Sequence, residues 1–133
     1  MLNGKPPLSE RDANQYSPLT LAYLGDAVYE SLVREMLVLR ENKPNGKLHA
    51  EARKFVSAKG QSEAFYRIEP LLTADELSVF KRGRNAHSMP NKNNDIDEYK
   101  RATGFEALFG YLWLIGAEER IRELFEAILE EQK

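Results

Sequence analysis

Two carboxylates stand in stretches that otherwise read as the apolar interior of a helix. Asp26 follows Gly25 in "LTLAYLGDAVYE", and Glu106 is flanked by Phe105, Ala107, Leu108 and Phe109 in "ATGFEALFGYLWLIG". Gly and Asp both disfavour a helix interior, so Gly25-Asp26 is either a flaw or a placement. A buried carboxylate without a partner is costly or stays protonated. Each acid therefore needs a base, a hydrogen-bond network or a metal ion. Taken singly, Asp26 can cap a neighbouring helix or pair with Arg101, and Glu106 can bridge to a Lys or Arg. Taken together, two acids facing each other across a helix pair make a hard oxygen site. Such a site suits Mg²⁺, commonly held by one or two carboxylates plus waters and substrate phosphates. Chemistry of that kind can activate water and stabilise phosphodiester cleavage. Glu30 lies one turn beyond Asp26 on the same face, as a supporting acid, a third ligand or a solvated surface residue.

Other chemistries find little footing. The 133 residues contain no Cys, so neither a disulfide nor a thiolate zinc site can form. His49 and His87 are far apart and sit in no His-Asp or Glu-x-x-His pattern. No Gly-rich phosphate loop follows a strand. These features argue against Ser-His-Asp hydrolases, nucleotide-binding folds and ferritin-like di-iron bundles.

The net charge of −2 argues against a non-specific nucleic-acid binder, but charge is unevenly spread. "KRGRNAHSMPNK" has four Lys/Arg and no acid, whereas "EERIRELFEAILEEQK" has six acids and three bases. A phosphate feels the local field within a Debye length of roughly 8–10 Å, so a local basic patch is what counts. With 42% apolar residues and no apolar leader in "MLNGKPPLSE", the expectation is a soluble, cytoplasmic domain with one core.

The elements that position these residues are helical throughout. Residues 1–16 are polar and read as a loose arm; residues 17–133 read as a single domain. Ser17 as N-cap and Pro18 at the first helical position open a helix that ends near Arg40. Leu21, Leu24, Val28, Leu32 and Glu35/Met36 follow at helical spacing. "KLHAEARKFVSAKGQSEAFYRI" reads as a helix broken near Gly60, with the stripe Leu48, Ala52, Phe55 and Val56. Thr73 and Glu76 form a capping box before "SVFKRGRNA". "DIDEYKRATGFEALFGYLWLIG" is the longest helical stretch, stopped by Gly116. A last amphipathic helix runs through Ile121, Leu124, Phe125 and Ile128. No segment alternates as a strand does, so the fold class is all-α, with five to seven helices. Gly25, Gly104 and Gly110 suggest close approach of backbones.

"LAYLGDAVYE" and "FEALFGYLWL" together resemble the catalytic domain of ribonuclease III. The signature of that family runs Glu-x-x-Glu-Phe-Leu-Gly-Asp-Ala, with a later Asp-Ala-Phe-Glu-Ala-Leu helix. "LAYLGDAVYE", "KPNGKLH", "VSAKGQ", "KRGRNAHS" and "FEALFGYLWL", in that order, are most similar to the Mini-ribonuclease III group, which lacks a separate RNA-binding domain. The resemblance covers residues 17–125. It implies a helical ribonuclease III-like fold with Asp26 and Glu106 as catalytic, metal-binding carboxylates. Ala22 stands where the family has a metal-site Glu, and Thr103 where it has a later Asp. Two of four acids are kept, which leaves the metal count open, with Glu30 and Thr103 as supporting positions.

The resemblance further implies a homodimer with Tyr23 in its interface, the alternative being a Tyr in the chain's own core. It implies Mg²⁺, with Mn²⁺ as substitute, and cleavage of double-stranded RNA to 5′-phosphate and 3′-hydroxyl ends. The expected target is large-subunit ribosomal RNA precursor, presented in one version by a ribosomal protein. Lys81, Arg82, Arg84, Asn85, His87 and Lys59 become candidates for phosphate contact, against a plain solvated helix end. A non-catalytic RNA-binding or ribosome-assembly module on the same fold is the main alternative. A helical protein-interaction domain is another.

Overall fold

A computed structural model describes residues 1–86 and 95–130. Within them the chain forms seven α-helices and no strand: α1 (Glu10–Asn14), α2 (Pro18–Arg40), α3 (Asn45–Val56), α4 (Ala58–Ile68), α5 (Ala74–Arg84), α6 (Ile96–Leu114) and α7 (Glu118–Glu130). A 3₁₀ turn over Glu69–Leu71 links α4 to α5. None of these helices is long and apolar enough to cross a membrane.

The start signals act as the sequence predicts. Ser17 accepts from the Leu19 amide with Pro18 behind it, and the capping box between Thr73 and Glu76 is complete. Asp95 caps α6, and Gly116, at φ 74°, takes the left-handed conformation just beyond its end. The break in the "KLHAEARKFVSAKGQSEAFYRI" stretch falls at Ser57 rather than Gly60. Ser57 is extended and its hydroxyl caps the Gly60 amide, so the cap decides where α4 starts.

Helix α6 is the axis of the molecule. It packs against α2, α5, α4 and α7, and Phe105, Leu108, Phe109 and Leu112 are fully or almost fully buried. Tyr29 of α2 meets Phe105 edge-on at 4.8 Å, and Phe109 and Phe125 close around it. The buried stripe of α2 is Leu21, Ala22, Gly25, Tyr29, Val33 and Leu37. Leu24, Val28 and Leu32, expected in the same stripe, are only half-buried. They lean on the core from its edge and line a shallow groove with Leu2, Trp113 and Ile121. The last helix matches its expected stripe: Ile121, Leu124, Phe125 and Ile128 are all buried.

The first sixteen residues are not a loose arm. The Leu8 amide donates to the Leu114 carbonyl at 2.8 Å, and Ala13 is fully buried. Arg82 of α5 donates to the Asn14 carbonyl at 2.9 Å, which ties α1 to the body. At the other end Arg120 of α7 grips the buried Glu76 through two hydrogen bonds, at 2.8 and 2.9 Å, and donates to the Leu71 carbonyl at 2.7 Å. Burial pushes the Glu76 carboxyl up, but the bonds from Arg120 and the Thr73 amide outweigh it and hold it below the usual range.

Candidate active site

Helices α2 and α6 cross where Gly25 faces the backbone of Glu106. A Cβ on Gly25 would overlap the Glu106 carbonyl oxygen and stand 2.7 Å from the Gly110 amide nitrogen. A Cβ on Gly110 would in turn overlap the Leu21 carbonyl oxygen. The two glycines remove the side-chain layer that normally keeps helix axes 8–10 Å apart. Gly104 and Gly83 make a similar approach between α6 and α5, with Gly104 against the Phe80 carbonyl. Because Asp26 follows Gly25, close contact at the crossing sets its carboxyl beside that of Glu106.

The two acids are near enough for their carboxyls to share a hydrogen bond. Their environments differ. Asp26 is exposed, not interior as its apolar neighbours suggest, while Glu106 is half-buried. Burial, then the hydrogen bond and negative charge of Asp26, push Glu106 up to about 8. Gln61 of α4 opposes this: only 1% exposed, it donates from Nε2 to Glu106 Oε2 at 3.4 Å. The pair is thus two hard oxygen donors, mutually repelling when ionised and open to solvent on the Asp26 side. Such a pair fits a divalent cation, which would relieve the repulsion.

The remaining candidates divide by location. Ala22 is buried against the core, so no carboxylate is offered there. Among the described residues no group of three or more His, Cys, Asp or Glu side chains could hold a metal. Thr103 is buried and its hydroxyl donates to the Tyr99 carbonyl at 3.0 Å, a bond within α6. Glu30 pairs with Arg34 one turn on, at 3.4 Å. Arg101, a conceivable partner for Asp26, instead donates to Ser62 Oγ at 2.7 Å.

In the basic run, Lys81 and Asn85 are exposed, and Lys59 is exposed at the start of α4. Arg84 lies over the Phe80 ring at 5.7 Å and donates to Asn85 Oδ1. One nitrogen of Arg82 is committed to Asn14. His87 lies outside the described residues. Tyr23 is 86% exposed, so it is not a residue of the chain's own core. Sequence reasoning missed Gln61. Its signals were its place at the end of "VSAKGQ" and, with Ser62, a polar pair among the inward positions of α4.

A family model for the ribonuclease III domain matches residues 19–117. A Mini-ribonuclease 3 of Brevibacillus brevis is 49% identical over 115 residues, covering 86% of each chain. A Mini-ribonuclease 3 of Staphylococcus aureus is 44% identical over 117 residues, covering 85% of this chain and 87% of its own. The crystal structure of a Fusobacterium nucleatum protein superposes with a TM-score of 0.82 at 30% identity, over 92% of this chain and 98% of that one.

Proposed function

The chain belongs to the ribonuclease III family, and on that premise we propose that Asp26 and Glu106 are its catalytic carboxylates. It is a Mini-ribonuclease 3-type endoribonuclease, acting on double-stranded RNA with a divalent metal. The metal in our reading is Mg²⁺, replaceable by Mn²⁺, with Asp26 and Glu106 as its protein ligands. When bound, it supplies a Lewis acid at the phosphate and a lowered pKa for the attacking water. Asp26 is exposed and meets the substrate side. Glu106 is held behind it by Gln61, whose donated hydrogen bond favours the ionised carboxylate. The observation that carries the assignment is the glycine-lined crossing, which brings two acids from separate helices together.

The substrate in this reading is a duplex region of large-subunit ribosomal RNA precursor, cut in the cytoplasm to 5′-phosphate and 3′-hydroxyl ends. Double-stranded RNA is recognised through phosphates, 2′-hydroxyls and shape. Lys81, Arg84, Asn85 and Lys59 supply phosphate contacts, with His87. Arg82 does not, because one of its terminal nitrogens is committed to Asn14 and the other is buried. With a net charge of −2, affinity for isolated RNA is weak, and a ribosomal protein that presents the fold of the target would compensate. A homodimer completes the reaction, because two symmetric sites can cut both strands. Exposed Tyr23 and the apolar groove beside it support an interface there.

A long RNA duplex incubated with Mg²⁺ should yield fragments with 5′-phosphate ends, and incubation with chelator should yield none. An uncut duplex that is nonetheless bound in both would leave a non-catalytic RNA-binding module. Sedimentation should report twice the chain mass for the wild type and the chain mass for Tyr23→Asp. Equal masses would remove Tyr23 from the interface.

A further inference from the structure

We propose that Arg101 binds a backbone phosphate of the RNA strand beside the carboxylate pair, presented for that purpose by Ser62 and Tyr66. The inference rests on the reading of Asp26 and Glu106 above. Arg101 is half-buried, yet among the described residues no carboxylate lies within ion-pair distance of it. Asp97 and Glu98 precede it at the spacings where helix ion pairs form, and neither reaches it. The segment before α6, residues 87–94, contains no Asp or Glu at all. A cation held partly out of water without an anion is costly, which points to a ligand that supplies one.

The way the guanidinium is held agrees. Its Nε donates to the Oγ of buried Ser62 at 2.7 Å, and its Cζ lies over the ring of Tyr66, 5.1 Å from the centroid. The anchor uses the inner nitrogen, and the ring packs against the guanidinium carbon. The outer fork, the edge that matches two oxygens of a phosphate, is left for a ligand. Adjacent residues of α4 thus hold two side chains of α6: Gln61 holds Glu106, and Ser62 holds Arg101. The two are five positions apart on α6, about 7.5 Å along its axis and about 140° around it, and α4 bridges the difference. Both side chains are drawn toward α4. In this proposal Arg101 takes a neighbouring phosphate of the strand whose phosphodiester meets the carboxylates.

The test is binding of a labelled RNA duplex in chelator, followed by anisotropy between about 50 and 200 mM salt. Arg101→Gln should weaken binding about tenfold. It should also flatten the slope of log Kd against log salt by about 0.7–0.9 for each phosphate that is no longer neutralised. With metal present, KM should rise while kcat at saturating RNA stays close to wild type. Arg101→Lys should keep the salt slope and recover part of the affinity. Ser62→Ala should raise KM without changing the slope, since the charge remains and only its anchor is gone. An unchanged slope with unchanged KM in Arg101→Gln overturns the proposal, as does a lowered melting temperature with no change in slope. Binding in chelator does not depend on which carboxylates cut. A normally active Asp26→Asn enzyme would therefore sink the carboxylate assignment and leave the Arg101 result standing.

Discussion

Asp26→Asn should lower RNA cleavage by at least about 10³-fold while leaving the fold intact and duplex binding in chelator close to wild type. The substitution keeps shape and removes charge from an exposed position, so the core does not notice it. What it removes is one of the two hard oxygen donors, and no third acid stands by to replace it among the described residues. The same substitution should change how the metal-free protein responds to pH. Burial and the neighbouring Asp26 raise Glu106 from its ordinary value of 4.5 to about 8 in the folded state. Between these values the folded protein binds a proton that the unfolded chain has released. The stabilisation is therefore fully present below the unfolded value and is lost as pH rises through about 8. Its total is on the order of a few kcal/mol, read as a melting temperature that falls from acid toward mildly alkaline pH in chelator. Divalent metal should reverse the trend, because it binds the ionised pair and stabilises the folded state by mass action. Asp26→Asn relieves the repulsion and should make the metal-free profile shallower, while burial, the larger cause, keeps part of the slope. A variant that cuts at the normal rate would disprove the role of Asp26. An Asp26→Asn profile as steep as that of the wild type in chelator would disprove the close pairing.

Much of this site was legible because helix chemistry is local. Ser17-Pro18, the Thr73–Glu76 box and Gly116 announce ends that depend on a few adjacent residues, and they fall where expected. Gly25-Asp26 was legible for the opposite reason: it breaks local rules, and sites are where such rules are broken. What escaped depends on tertiary partners. Helix α2 is apolar on more than one side, so spacing alone could not tell the buried line through Tyr29 and Val33 from the half-exposed line through Leu24, Val28 and Leu32. The docking of residues 1–16 rests on hydrogen bonds to Leu114 and Arg82, both remote in sequence. Arg82 looked like one more phosphate contact because its charge is visible in the sequence and its carbonyl partner is not. Gln61 and Ser62 carry no chemistry by type; they matter because α4 lies against α6 at Glu106 and Arg101.

Gly25→Ala should be among the most damaging single substitutions in the chain, although it adds only a methyl group. On propensity it ought to help, since Ala in a helix interior is favoured over Gly by about 1 kcal/mol. The crossing decides otherwise. The new Cβ would overlap the Glu106 carbonyl oxygen and lie 2.6 Å from its carbon, and both are backbone atoms within α6 that cannot rotate aside. Relief requires α2 and α6 to separate, and that opens the Tyr29, Phe105 and Phe109 cluster beneath them. Overpacking usually costs about 1–3 kcal/mol where side chains can yield; against rigid backbone about 4 kcal/mol or more is expected. That is a large share of a typical total of about 5–15 kcal/mol. The melting temperature should drop by about 10–20 °C, or the chain should fail to fold. Any folded fraction should also cut slowly, because separation moves Asp26 from Glu106, and a displacement near 1 Å can cost about 10²-fold. Gly46→Ala is the control: it also lies in a helix, but its Cβ would meet nothing within 4 Å. That variant should match or slightly exceed wild-type stability. If Gly25→Ala melts and cuts like Gly46→Ala, the crossing does not set the distance between the two carboxylates, and the assignment built on it falls.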